Sequence, residues 1–241
     1  MISMGGIRRF LAISAAGLLT SCIDGREEIW LEANGSGRTD VTYSLPAAAA
    51  RLQGGESGIQ SMIEEFLKNT PEISSSSCAV TTEGDRLKIR VQTSFASALD
   101  LKDISASQAI KKLPPAANGL TGEIHTKVHG LSVDFARTLR LGDALPGSQF
   151  IPASQLAGRN LTYIIHLPKA ATDSNATRTE DSGRTLIWDF PLSEALQGPI
   201  TTRLTAPIPI PNWAIATVSI LGLALLILAV RKFIRRQPSP A

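Results

Sequence analysis

The sequence predicts an α+β domain, an antiparallel sheet with two helices packed on one face, followed by a C-terminal transmembrane helix. Three observations predict it. Alternating apolar and polar residues mark paired strands at 27–45 and 78–95. An apolar stripe with helical spacing lies between them. An uncharged run, Trp213 to Val230, is followed at once by Arg231, Lys232, Arg235 and Arg236. Eighteen helical residues rise about 27 Å, close to the ~30 Å hydrocarbon core. Basic residues beside a span resist translocation, so residues 231–241 are expected in the cytoplasm and the rest outside it.

The chain has 241 residues, room for one domain of ordinary size. Its net charge of +3 misleads. Six basic residues lie in the leader and the tail, which leaves 18 Lys and Arg between them against all 21 Asp and Glu. A nucleic-acid binder needs a basic surface against phosphates, and the middle region lacks one.

Residues 1–21 read as a signal peptide, with Arg8 and Arg9 before a short apolar segment, Phe10 to Leu19. Leu19-Thr20-Ser21-Cys22 has the pattern of a bacterial lipobox, which makes Cys22 the expected site of acylation. Cys78 then has no partner within the chain and is expected to be buried, since Cys is among the most buried residue types. The rival is a Cys22–Cys78 disulfide.

The extracytoplasmic domain is expected over 22–206. Ile29, Leu31 and Ala33 share one side of a strand, Gly35-Ser36-Gly37 turns it, and Val41, Tyr43 and Leu45 alternate after it. Pro46 suits a first helical turn. A clearer helix runs from Glu56 to Asn69, with Ile59, Met62, Ile63, Phe66 and Leu67 in one stripe. These five are core residues or the lining of a lipid pocket. Ser74 to Ser77 read as a loop. A second hairpin turns at Glu83-Gly84-Asp85, and Leu87 to Phe95 alternates strictly. A second helix is expected over 99–113, ended by Pro114-Pro115.

From Gly122 the chain is strand-rich. Ile124 to Val128 and Ser132 to Leu141 are strand candidates, 142–158 has poor periodicity, and Leu161, Tyr163, Ile165 and Leu167 alternate. Residues 172–183 are polar and turn-like. Leu186, Trp188 and Phe190 alternate again, and Ile200 to Thr205 forms a last strand. Pro207, Pro209 and Pro211 make a stiff 207–212 linker into the span.

The order of parts resembles bacterial lipoproteins of the mycobacterial LppM type. The resemblance rests on the lipobox Cys, the strand pair around Gly35-Ser36-Gly37, the strand ending at Pro168, the segment Gly183-Arg184-Thr185-Leu186-Ile187-Trp188, and the span with its basic tail. It covers nearly the whole chain through short motifs. It implies an α+β extracytoplasmic domain and a lipid or glycolipid ligand, and it brings no catalytic residues.

Enzyme chemistry finds little purchase. On a strand, His125 and His129 stand about 13 Å apart, too far for one metal ion. Ser74 to Ser77 lack the Gly-x-Ser-x-Gly elbow of a hydrolase. Glu64-Glu65 and Glu180-Asp181 look like a solvated helix face and a turn. The expectation is a non-enzymatic lipoprotein of the plasma membrane, without cofactor or metal. Its domain binds an envelope lipid or glycolipid, or else grips another envelope membrane protein.

Overall fold

The computed structural model describes residues 24–51, 54–98, 122–144 and 151–209. The leader, Cys22, the helix expected over 99–113 and the run 213–230 lie outside them. Among the described residues no helix is long and apolar enough to cross a membrane.

In chain order the strands are β1 Asp24–Leu31, β2 Gly37–Pro46, β3 Ile73–Glu83, β4 Arg86–Phe95, β5 Glu123–His129, β6 Ser132–Leu139, β7 Asn160–His166, β8 Asp173–Ser174, β9 Arg178–Glu180, β10 Thr185–Pro191 and β11 Ile200–Pro207. The helices are α1 Ala47–Arg51, α2 Gly55–Lys68, α3 Leu141–Ala144, α4 Ala153–Leu156 and α5 Leu192–Gln197. The described residues are thus mostly sheet, with few and mostly short helices among them.

The strands form two sheets, not the single antiparallel sheet expected. The first has seven strands, ordered β3-β4-β2-β1-β7-β10-β9, and the second has four, ordered β5-β6-β11-β8. The first is mixed, because β1 and β7 run parallel, with Gly25 opposite Leu161 and Trp30 opposite His166. Alternation within hairpins reports only local pairing. A parallel pair needs a long crossover, which local pattern does not reveal.

Both expected hairpins form. β1 and β2 pair from Asp24↔Ser44 to Leu31↔Gly37. β3 and β4 pair through to Glu83↔Arg86, and Gly84 turns them at φ 65°, a left-handed conformation that glycine adopts without steric cost. The serines at 74–77 belong to β3 rather than to a loop. Serine has modest strand preference, but an exposed edge demands little side-chain packing.

One face of the large sheet is covered twice. At the β3-β4-β2 end α2 lies on it, and Ile59 joins Ala50, Val80 and Leu87 in a buried cluster. At the β1-β7-β10 end the second sheet stacks against it. There Tyr163, Ile165, Leu186, Trp188 and Leu204 form one core cluster. Leu139, Leu141, Leu161, Leu192, Ala195, Leu196 and Ile200 form another. Trp188 is fully buried. Helix α5 closes that end, with Leu192, Ala195 and Leu196 on its inner side.

α2 ends where its side chains begin to cap it. Asn69 Nδ2 donates to the Glu65 carbonyl (2.8 Å) and Thr70 Oγ1 to that of Phe66 (2.8 Å).

Candidate functional site

The two sheets meet around a buried ion pair. Glu27 shares its face of β1 with Gly25, Ile29 and Leu31, and pairs in register with Val41 and Tyr163. Arg137 stands on the inner face of β6 between Phe135 and Leu139, opposite Thr202 of β11. Arg137 Nη1 donates to Glu27 Oε2, and its Nη2 to Oε1 at 3.2 Å. Tyr43 Oη donates to Glu27 Oε1. The guanidinium carbon lies 5.1 Å from the centre of the Tyr163 ring, which tilts against Trp188 at 5.8 Å.

A charge in a dry interior is tolerated only with a close partner. The side chains of Arg137 and Glu27 are 9% and 15% exposed. Burial alone would lower the Arg137 pKa, but the carboxylate of Glu27 outweighs it and holds the guanidinium above its ordinary value. Burial first, then the charge of Glu27, pushes Tyr43 well above the usual tyrosine range. Burial pushes Tyr163 up to about 12. Both phenols are therefore neutral at any physiological pH, and Tyr43 keeps the proton that it donates to Glu27.

Beside this cluster, between Gly25, Tyr43, Leu161 and Phe190, is a cavity of about 20 Å³. That is room for about one water, whereas drug-sized ligands take pockets of roughly 300–1,000 Å³. The chemistry here is structural: a bidentate pair joins residues 110 apart in sequence and fixes how the sheets stack.

A second node joins the sheets through Asn175. Its Oδ1 accepts from Trp188 Nε1 (2.9 Å) and from the Arg203 backbone N–H (2.7 Å), while Nδ2 donates to the Thr201 carbonyl (2.8 Å). The buried indole N–H thus has its partner.

The opposite face of the large sheet carries buried Ile164 and Ile187 on β7 and β10 and several charged side chains around them. His166 stacks on Trp30 with centroids 5.1 Å apart, and Arg38 covers the other side of that ring at 3.9 Å. His166 Nε2 lies 2.7 Å from Glu28 Oε1, and Nδ1 lies 3.1 Å from Thr185 Oγ1. Burial raises the Glu28 pKa, but hydrogen bonds from His166 and Arg26 lower it by more. Arg90 pairs with Asp40, and Arg178 with Asp189.

Of the candidate pocket residues, Ile59 and Leu67 are buried, Ile63 packs beside Val80 and Leu87, and Met62 and Phe66 are half-buried. None of them lines the cavity at the seam. Cys78 is a half-buried free thiol, and burial, then Glu64, pushes its pKa up. His129 faces Asp134 at 3.2 Å. Among the described residues no group of three or more His, Cys, Asp or Glu could hold a metal ion.

No family model and no curated protein matches the chain. Among solved structures it is similar to the folded domain of LppM from Mycobacterium tuberculosis, determined by NMR. That match has a TM-score of 0.50 at 12% identity and covers 79% of this chain and 92% of that one. The chain has an LppM-like fold. At this identity the likeness concerns the fold alone. A second structure, the zebrafish Fcho1 Mu homology domain with bound Eps15 peptide, is similar over 81% of this chain and 83% of its own. Its TM-score is 0.25 and its identity 11%, so no argument rests on it. The likeness supports the LppM-type fold that the order of parts suggested, not the single antiparallel sheet expected from the strand pattern. Trp188, in the Thr185 to Trp188 segment that carried the resemblance, is fully buried in one core cluster.

Proposed function

We propose that the chain is a bacterial envelope lipoprotein, acylated at Cys22 and anchored again by the helix at 213–230, whose non-enzymatic domain binds an envelope lipid or glycolipid outside the plasma membrane. The observation that carries this reading is the Leu19-Thr20-Ser21-Cys22 motif lying immediately before a folded domain. β1 begins at Asp24, two residues after Cys22. An acyl group on Cys22 would therefore hold the start of β1 at the bilayer.

The other end of the domain supports a second contact. β11 ends at Pro207, and the Ile208 N–H donates to the Leu131 carbonyl at the β5–β6 turn (2.7 Å). Leu131 and Val128 in that hairpin are 62% and 49% exposed. Exposed apolar residues where the chain turns toward an apolar run suit a lipid surface. β1 starts near Leu161 and Ile200, whereas Ala206 packs with Leu31 and Leu167, so the two tethers leave opposite ends of the strands. Two short tethers at opposite ends would lay the strands along the bilayer. The ligand would then sit at the Met62 and Phe66 side of α2, which stays half-buried while Ile59 and Leu67 hold the helix down.

A second reading, an assembly partner of another envelope membrane protein, is favoured by the small cavity at the seam. Metabolic labelling with a fatty acid tests the anchor. Cys22→Ser should abolish labelling while the protein stays in the membrane through 213–230. Labelling that survives the substitution rejects Cys22 as the acceptor.

A further inference from the structure

We infer that β3 is a self-association surface, and that two copies of the chain join their large sheets edge to edge through antiparallel β3–β3 pairing. A sheet edge offers unpaired backbone N–H and C=O groups, and proteins usually guard such edges with shortness, charge, proline or bulges. Among the described strands, three of the four edges are guarded. β8 has two residues, one of them Asp173. β9 has three, including Arg178 and Glu180. β5 carries Glu123 and Lys127 within seven.

β3 differs from all three. It has 11 residues, about 35 Å of strand, with neither proline nor charge before Glu83. Its one irregularity, a register shift between Ile73 and Ser75, leaves 75–83 regular against β4. Ser75, Ser76, Ser77 and Ala79 are exposed. Among the described strands nothing pairs with its outer side.

The strand is also compatible with its own copy. A two-fold axis perpendicular to the sheet pairs β3 with itself antiparallel and keeps each face on its own side. An axis at position 78 or 79 places the two Glu83 side chains at opposite ends of the shared ladder, so like charges do not meet. With the axis at 78, Ser77 of one copy faces Ala79 of the other, and with the axis at 79 the two Ala79 side chains face one another, small residues in either case. The contact is closed, because pairing uses up the one unguarded edge among the described strands and the far edge at β9 is short and charged.

The register makes the test sharp. Residues directly opposed in an antiparallel pair have Cα atoms about 4.5–5.5 Å apart, inside the range that a disulfide spans. Full-length protein in its membrane, oxidised mildly, should give a cross-linked dimer through Cys78, or through Ala79→Cys in a Cys78→Ser background. Thr82→Cys in the same background should not, because its copy lies about 20 Å or more away along the ladder. The Cys78→Ser chain keeps Cys22 and sets the baseline.

Ala79→Lys places two ammonium groups at or beside the axis. With native Cys78 retained, it should reduce the cross-link several-fold while protease resistance of the domain is unchanged. Cross-linking equal at 79, 82 and a β9 control, Thr179→Cys, would mean random collision and overturn the proposal. So would no cross-link above baseline at 78 or 79 in protein that stays protease-resistant.

Discussion

Removing the buried guanidinium is the perturbation with the largest expected effect. Arg137→Met keeps most of the side-chain volume and leaves the Glu27 carboxylate between the sheets with Tyr43 as its remaining donor from this cluster. Breaking a buried pair by deleting one partner costs about 3–5 kcal/mol, whereas replacing both with apolar groups is often close to neutral. Glu27→Leu should likewise destabilise, since it removes the carboxylate that balances the buried charge of Arg137. The double variant Glu27→Leu/Arg137→Met should recover much of that loss. It still leaves the Tyr43 hydroxyl without its acceptor, which costs about 1–3 kcal/mol and should be relieved by adding Tyr43→Phe. Urea unfolding of segment 23–209, which includes all of β11 and Ile208, would measure each step. The expected coupling between the two positions is at least about 2 kcal/mol. An Arg137→Met variant within about 1 kcal/mol of the parent, or strictly additive losses, would refute the role assigned to this pair.

Other outcomes follow from the same geometry. Asn175→Ala removes the acceptor of the fully buried Trp188 N–H and should cost about 1–3 kcal/mol in the same assay. Gly25→Ala should destabilise by about 1–3 kcal/mol, because a Cβ there would run into the Tyr43 ring and Leu161. Alkali should unfold the domain through its phenols. Tyr163 titrates near 10 when unfolded and at about 12 when folded, so the unfolded state holds fewer protons in that window and stability falls as pH rises. This residue alone should contribute a loss of about 1.4 kcal/mol per pH unit from 10 to 12, read from unfolding midpoints and reduced in Tyr163→Phe.

Strand alternation was legible for the inner face of the large sheet. Leu161, Tyr163 and Ile165, and Leu186, Trp188 and Phe190, do line the inner face of the large sheet. The α2 stripe was legible too, since Ile59 and Leu67 are its buried line. Pairing over long distances was not, because nothing local in β1 announces that its second neighbour is Asn160–His166. The buried ion pair was missed although its signal was present. Glu27 shares the parity of Ile29 and Leu31, and Arg137 that of Phe135 and Leu139, so each is a charge at a position where the pattern calls for an apolar residue. Two opposite charges misplaced in this way on separate strands point to each other. Helix α5 carried a short signal, Leu192, Ala195 and Leu196 after Pro191, in a segment too brief for periodicity to stand out. Asn175 had none, since its role depends on where β10 and β11 lie in space.

The central functional claim is that the domain itself holds an envelope lipid. The most direct measurement is titration of folded segment 23–209 with a fluorescent long-chain lipid. Saturable binding that Met62→Trp weakens, with unfolding midpoint unchanged, is the predicted result. A folded segment that binds no envelope lipid would contradict the claim and leave the assembly reading in its place.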